Sequence, residues 1–292
     1  MYAVLAYTAW GIFPLYWKLL RTVSPLEVLS HRMLWSAVFL VVILMMQERR
    51  AFAKTLWNAR AVIPYTVISA TLISVNWLVY IYSVNTGQVL ESSLGYFMAP
   101  LVSVFLGTFV LREKLTPRQK LAVGLAALGV AGLVYQFGHV PYWAILLSTS
   151  FATYGLIRKK IPIRPMVAST LEAMIQVIPA VIILFVLKWR GIAQHMSWTG
   201  RITIELQLLV LGGLITAVPL VWFANAARRL PLSALGLFNY LSPILQFCLA
   251  VFVFHETFTS GHLAAFSFIW AGLAVYSFEM WNQHRLRPRV AH

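Results

Sequence analysis

Two stretches of the chain align without a gap at an offset of 143 residues: Pro100-Leu101-Val102-Ser103-Val104-Phe105-Leu106-Gly107-Thr108-Phe109-Val110-Leu111-Arg112-Glu113-Lys114-Leu115-Thr116 and Pro243-Ile244-Leu245-Gln246-Phe247-Cys248-Leu249-Ala250-Val251-Phe252-Val253-Phe254-His255-Glu256-Thr257-Phe258-Thr259. Six of these positions are identical, and the match continues through Ala122 and Ala265, Gly129 and Gly272, and Ala131 and Ala274. Nine identities in 32 positions exceed the roughly three expected by chance in so apolar a composition. An offset of 145 sets Ser24, Leu26 and Glu27 on Ser169, Leu171 and Glu172. The correspondence thus runs from the second helix to the fifth of a unit used twice, with halves at residues 1–138 and 139–292.

The unit is a membrane unit. Of 292 residues, 60% are apolar and 11% charged, too few charges to clothe a water-soluble domain. A hydrocarbon core about 30 Å thick requires about 20 apolar residues per helix, because every backbone polar group must be paired inside lipid. Such runs recur ten times, centred in residues 2–20, 27–46, 61–83, 90–111, 118–137, 141–157, 166–188, 205–227, 232–254 and 262–281. The expected fold is therefore all-α, ten transmembrane helices in two five-helix repeats. Five is odd, so the second repeat enters from the opposite face. The loops agree: Arg112, Lys114, Arg118 and Lys120 surround the first Glu-Thr turn, whereas its mate at residues 255–261 holds no Lys or Arg. Inverted repeats of this kind build alternating-access carriers with a site near mid-membrane. The first run opens at residue 2 with no basic start, unlike a cleaved signal peptide, and is read as a retained helix.

The net charge of +15 punctuates the runs. Seventeen of the 23 Lys and Arg fall in segments 49–60, 112–120, 158–164, 228–229 and the tail from residue 285, which by the positive-inside rule puts both termini and a short basic tail in the cytoplasm of a bacterial inner membrane. Spread over five short segments, the charge forms no continuous phosphate-binding face, which argues against nucleic acid as a partner. A single cysteine, Cys248, excludes internal disulfides and thiolate clusters, and all eight acids are Glu. His255-Glu256 has no histidine at zincin spacing, so no metal is expected. No Gly-x-x-x-x-Gly-Lys-Ser/Thr loop is present for ATP, and no cofactor is expected.

Several segments carry a family resemblance: Ala9-Trp10-Gly11, Glu27-Val28-Leu29-Ser30-His31-Arg32, Asn76-Trp77, Glu91-Ser92-Ser93-Leu94-Gly95-Tyr96-Phe97 and Tyr154-Gly155-Leu156-Ile157-Arg158-Lys159-Lys160. The chain resembles, over essentially its whole length, the RarD-type members of the EamA group in the drug/metabolite transporter superfamily. The resemblance implies a ten-helix inner-membrane carrier with a cavity between its halves, moving small organic metabolites or drugs, and a name associated with chloramphenicol sensitivity. It also implies a short basic leader before the first helix, which is missing from this sequence.

Proline in a spanning helix leaves the carbonyl four residues earlier without its usual donor. Pro14 frees Trp10, Pro100 frees Tyr96 and Pro243 frees Asn239. These three prolines are read as kinks or gates opening polar notches on a pathway, against the plainer reading of packing kinks. Positions three, four and seven apart share a helix face, grouping Ser92, Tyr96 and Ser103; Asn239, Ser242 and Gln246; and Asn76, Tyr80 and Ser83 beside Trp77. A buried unpaired amide costs a few kcal/mol, so Asn76, Asn239 and Gln246 must face protein or water, either at a site or as interhelical glue. Trp10, Trp77, Tyr80, Tyr96 and Tyr240 offer flat walls with polar tips for aromatic or zwitterionic solutes. Trp and Tyr near helix ends suit the interfacial belt. His31 and Arg32, a turn inside the second helix, are expensive unless they face a cavity or partner, and Glu27 lies one turn from His31. They are assigned to anion recognition or gating.

Glu27 and Glu172 follow Ser24 and Ser169 by three residues and read as capping boxes in preference to coupling carboxylates. Glu113 and Glu256 read as loop anchors, and Glu91 as a carboxylate on its own helix's N-terminal dipole. Gly124, Gly129 and Gly132, and Gly212 with Gly213, read as close helix contacts. The expected function is an exporter of small organic metabolites or drugs, amino-acid-like, aromatic or chloramphenicol-related, working by alternating access without ATP of its own. Its partners are the solute and the bilayer, and monomer and homodimer both stay open. The rivals are a membrane-embedded enzyme on a lipid-linked or hydrophobic substrate, for which no Ser/His/Asp arrangement or Gly-x-Ser-x-Gly is found, and a scaffold, which would not need paired central kinks.

Overall fold

The computed structural model describes residues 1–20, 22–85, 89–192, 203–253 and 260–286. Among them the chain is helical, with no strand. The elements are α1 (Tyr2–Trp17), α2 (Pro25–Glu48), α3 (Phe52–Asn58), α4 (Ile63–Asn85), α5 (Val89–Phe109), α6 (Pro117–Phe137), α7 (Tyr142–Lys160), α8 (Pro165–Trp189), α9 (Ile204–Arg229), α10 (Leu232–Asn239), α11 (Leu241–Phe252) and α12 (Ser260–Leu286), with short 3₁₀ turns after α1 and on both sides of α3. α8 and α9, of 25 and 26 residues, and the α2–α4 region contain stretches long and apolar enough to cross a membrane.

Local chemistry sets the boundaries. Proline opens α2, α6 and α8, where its missing N–H costs nothing and its fixed φ suits the first turn. The capping box belongs to α6: the Gln119 amide donates to Thr116 Oγ1 at 3.3 Å while the Thr116 amide donates to Gln119 Oε1 at 3.0 Å. The boxes expected at Ser24 and Ser169 are absent. Ser24 stands at the N-cap of α2 without a side-chain capping bond, and Ser169 lies inside α8, which Pro165 has already opened. Gly138 ends α6 at φ 75°, a left-handed conformation natural to glycine.

The ninth apolar run is broken. α10 stops at Asn239 and α11 starts at Leu241, with Tyr240 between them. Pro243, just after this point, supplies no donor to the Asn239 carbonyl, and Tyr240 itself keeps a right-handed helical backbone at φ −60°, ψ −19°. Pro100 and Pro14, by contrast, sit inside continuous helices, as do Pro179 and Pro219 in the second half.

Contacts between helix ends fix how the helices run. Arg164 at the start of α8 pairs with Glu48 at the end of α2, Arg118 at the start of α6 with Glu279 of α12 at 3.2 Å, and Lys159 near the end of α7 with Glu113, beyond α5, at 3.9 Å. Arg228 at the end of α9 donates to the Ile163 carbonyl before α8 at 2.8 Å, and Arg229 lies 5.0 Å over the ring of Tyr2 at the start of α1. These form the basic end. At the other end Glu91, near the start of α5, accepts from the Trp143 amide at the start of α7 at 2.7 Å, and Tyr16 near the end of α1 donates to the Leu208 carbonyl near the start of α9.

Two glutamates therefore cap helices other than their own. Glu91 serves α7, and Glu113 accepts from the Leu232 and Ser233 amides of α10 at 2.6 and 3.0 Å. Gly107 leaves room for the latter, since a Cβ there would stand 2.7 Å from Glu113 Oε2. The anchor role expected of Glu113 holds, whereas Glu91 works on α7 instead of its own helix. Glu256 lies outside the described residues.

Polarity is turned inside out. Phe185 and Ile178 of α8 are 68% and 66% exposed, while Glu172 and Gln176 of the same helix, with Asn76 and Ser148, are buried. That is the arrangement of a protein solvated by hydrocarbon. Close backbone contacts hold the helices together: a Cβ on Gly129 would meet the Ala265 carbonyl oxygen at 2.6 Å, and one on Gly272 the Ala122 carbonyl oxygen at 2.6 Å. Gly213 lets Trp35 and Ser36 of α2 lie against α9. Gly124 and Gly132 have no atom within 4 Å of where a Cβ would stand, contrary to expectation.

Candidate functional site

Gly212 and Gly213 are the root of the site. With no side chains there, α9 closes on α2, Ser36 Oγ donates to the Gly213 carbonyl at 2.8 Å, and the Trp17 ring lies 3.4 Å from where a Gly212 Cβ would stand. One turn further along α9, Thr216 accepts from Arg32 Nε at 3.1 Å while its own hydroxyl donates to the Gly212 carbonyl at 2.7 Å.

The guanidinium of Arg32 lies between two indoles, 4.5 Å from the Trp17 ring centroid and 4.8 Å from that of Trp77. Cation–π contacts of this kind contribute about 0.5–2 kcal/mol each, more when desolvated. Tyr80 and Tyr96 stand within electrostatic reach of the guanidinium, their rings edge to face at 5.7 Å. The ion pairs between described residues involve other cations, and Arg32 Nη1 and Nη2 take no hydrogen bond there. The result is a cation held by flat walls and one hydroxyl, with the two terminal nitrogens of its fork unclaimed.

Arg32, Trp77, Tyr80 and Tyr96 were expected at a site and are brought together. Trp17 and Thr216 were not expected. Arg32 lies seven residues into α2, about 10 Å along the helix, so the cage sits nearer the cation-poor end than mid-helix. Trp10 belongs to a neighbouring aromatic cluster, 5.5, 5.9 and 5.6 Å from Tyr7, Phe151 and Phe223. That cluster's buried core also supports Trp77, which links the two. His31 is buried and accepts from Trp35 Nε1 at 3.3 Å.

Two of the three amides join helices. Asn76 Nδ2 donates to the Leu147 carbonyl and to Ser150 Oγ of α7, both at 2.9 Å. Gln246 Nε2 donates to the Trp10 carbonyl at 3.2 Å, the oxygen that Pro14 leaves without a donor, and Ser242 donates to the Tyr7 carbonyl at 2.7 Å. The stripe on α11 thus clamps α1. Asn239 is buried at the end of α10. Tyr240 lies among Phe97, Val130, Ile269 and Tyr276, away from the cage, its buried hydroxyl without a partner among the described residues. The side chain of Ser92 lies outside the described residues.

Along α2 and α9 the cage is followed by an apolar layer, which α8 joins, of Ala37, Leu40, Ala173 and Ala217 with Val177 and Val221. Beyond it, at the basic end, an open cavity of about 470 Å³ is lined by Gln47, Arg164, Pro165, Met166, Asn225, Arg228 and Arg229. Cage, apolar layer and basic cavity follow one another along α9 as Thr216, Ala217 and Val221, and Asn225.

An inside-out helical bundle with an uncompensated interior cation is the makings of a membrane transporter, and the comparisons agree. The EamA-like transporter family matches this chain twice, over residues 1–135 and 140–278, and the chain belongs to that family. The chain is similar to the RarD protein of Escherichia coli (strain K12), with 41% identity over 275 residues, 94% of this chain and 92% of that protein. RarD of Streptomyces exfoliatus is 39% identical over 291 residues, 99% of this chain and 91% of that protein. A solved crystal structure matches with a TM-score of 0.70 at 17% identity, covering 95% of this chain and 96% of that one, a likeness of fold alone.

Proposed function

We propose that the chain exports small organic solutes across a bacterial inner membrane by alternating access between two inverted five-helix halves, the cage around Arg32 being the solute site. The observation that carries this reading is the cage itself, assembled from α1, α2, α4, α5 and α9 and therefore from both halves. A group held by both halves changes its exposure when the halves rock.

Three further observations support it. The helix neighbours exchange in pairs: α4 with α7 answers to α1 with α9, α5 with α7 to α1 with α11, and α4 with α8 to α2 with α9. The Gly129–Ala265 and Gly272–Ala122 contacts exchange in the same way. The family matches once in each half. Ten spans follow when α10 and α11 are counted as one crossing and α3 is left at the membrane surface with Lys54 and Arg60. The basic end then faces the cytoplasm, and the apolar layer over Ala217 closes the route from it to the cage.

An enzyme would need an activated nucleophile at the site. Thr216, the hydroxyl on Arg32, spends its proton on its own helix at Gly212, which is structural work. The test is vectorial movement by the purified full-length chain in proteoliposomes, with matched organic carboxylates and amides as solutes. Saturable accumulation of unaltered solute against its exchange partner is expected. Chemical conversion of solute without net movement would overturn the reading.

A further inference from the structure

Resting on that reading, we propose that the solute is an organic anion, a carboxylate on a flat, largely apolar body, and that Arg32 receives the carboxylate through its two free terminal nitrogens. A guanidinium inside a membrane protein is expensive and is ordinarily balanced by a carboxylate, as Arg158 is by Glu172 at 3.2 Å here. Arg32 has no such balance among the described residues. Its faces are covered by Trp17 and Trp77, and its Nε is tied to Thr216. These contacts aim the plane of the group and leave the Nη1/Nη2 edge, the edge that receives a carboxylate in two parallel hydrogen bonds.

The walls define the rest of the ligand. Trp77, Tyr80 and Tyr96 present ring faces and edges suited to a planar apolar body, and a small hydrophilic anion would leave them without contact. The second station on the route has the same sign. The cavity beyond the apolar layer is lined by three arginines, of which Arg164 is paired with Glu48, while Arg228 and Arg229 meet a carbonyl and a ring. An organic cation would meet repulsion at both stations, and a neutral solute would gain nothing from either charge.

The experiment compares matched sets on the detergent-purified full-length chain: phenyl, indolyl and cinnamyl carboxylates, their primary amides, the corresponding amines, and chloramphenicol as a neutral solute. Thermal stabilisation and uptake into proteoliposomes are read in parallel. Carboxylates are expected to stabilise the chain, with at least a tenfold preference over their amides and no effect from the amines. Arg32→Gln should abolish that preference, Arg32→Lys should retain part of it, and Arg158→Lys, away from the cage, should leave it unchanged. Equal response to amides and carboxylates, or no response to any carboxylate, overturns the anion assignment, whereas uptake of amides alone does so while leaving carrier function intact. Carboxylates that bind at Arg32 but are never moved uphold the assignment and contradict the carrier.

Discussion

Glu172→Ala is expected to lower folded stability by about 3–5 kcal/mol, because it strands a charge that the helices have sealed away. Glu172 accepts from Ser69 Oγ of α4 at 2.7 Å, from Tyr154 Oη of α7 at 3.1 Å and from Arg158 Nη1 at 3.2 Å. Arg158 in turn donates through Nη2 to Ser169 Oγ at 2.7 Å. Both members of the ion pair are buried, with side-chain exposures of 1% and 3%. The network joins α4, α7 and α8 at one point, so truncation leaves Arg158 without its counter-ion and the Tyr154 hydroxyl without its acceptor, while Ser69 keeps only the Thr66 carbonyl at 3.1 Å. Thermal unfolding in detergent should fall on the order of 10 °C. Glu172→Gln should also destabilise, and Glu172→Gln with Arg158→Gln should be more stable than Glu172→Gln alone, since no uncompensated charge is then buried. Melting of Glu172→Ala together with the parent would contradict this account of the core.

Arg32→Gln should behave in the opposite way, keeping the fold and losing the function. Its guanidinium has no ionic partner to strand among the described residues, so stability changes only by the lost cation–π contacts and the Thr216 bond, roughly 1–3 kcal/mol. The loss to transport is the charge-assisted pair with the solute, about 1.5–3 kcal/mol, which is a roughly 10- to 150-fold fall in transport efficiency. Proteoliposome uptake alongside a melting curve separates the two effects. Uptake within twofold of the parent would remove Arg32 from the site.

These two arginines mark how far the sequence could be read. Apolar length and punctuation located the helices closely: the run at 118–137 became Pro117–Phe137 and that at 166–188 became Pro165–Trp189. The cost of charge in lipid singled out Arg32, and helical spacing placed Trp77 with Tyr80. Partnership between helices was not legible, because spacing along one helix does not say what faces it. Ser169 and Glu172 had the spacing of a cap, yet the helix had already begun at Pro165, and their true partner, Arg158, stood on another helix. Trp17 had the position of an interfacial tryptophan and turned inward because Gly212 gave it a surface to lie on. The Gly212-Gly213 pair, with Thr216 a turn later, was the available signal for that approach. Asn76, Ser242 and Gln246 were read as site or glue, and their hydrogen bonds are interhelical.

The two stretches that align at an offset of 143 residues differ in structure. Pro100 and Pro243 are equivalent in sequence, yet α5 runs on while its counterpart divides at Tyr240. Gln246 and Ser242 answer carbonyls of α1 near this break, so α1 and α11 are held as a pair beside the cage.

In an alternating-access carrier one interior site faces each side of the membrane in turn. Thr216→Cys, in the full-length chain with Cys248→Ser, reports on it directly when a membrane-impermeant maleimide is applied to right-side-out and to inverted vesicles. Position 216 is expected to label from both faces, and an Asn225→Cys control from the basic face alone. Labelling of position 216 from a single face, with the protein active in uptake, would contradict alternating access at this site.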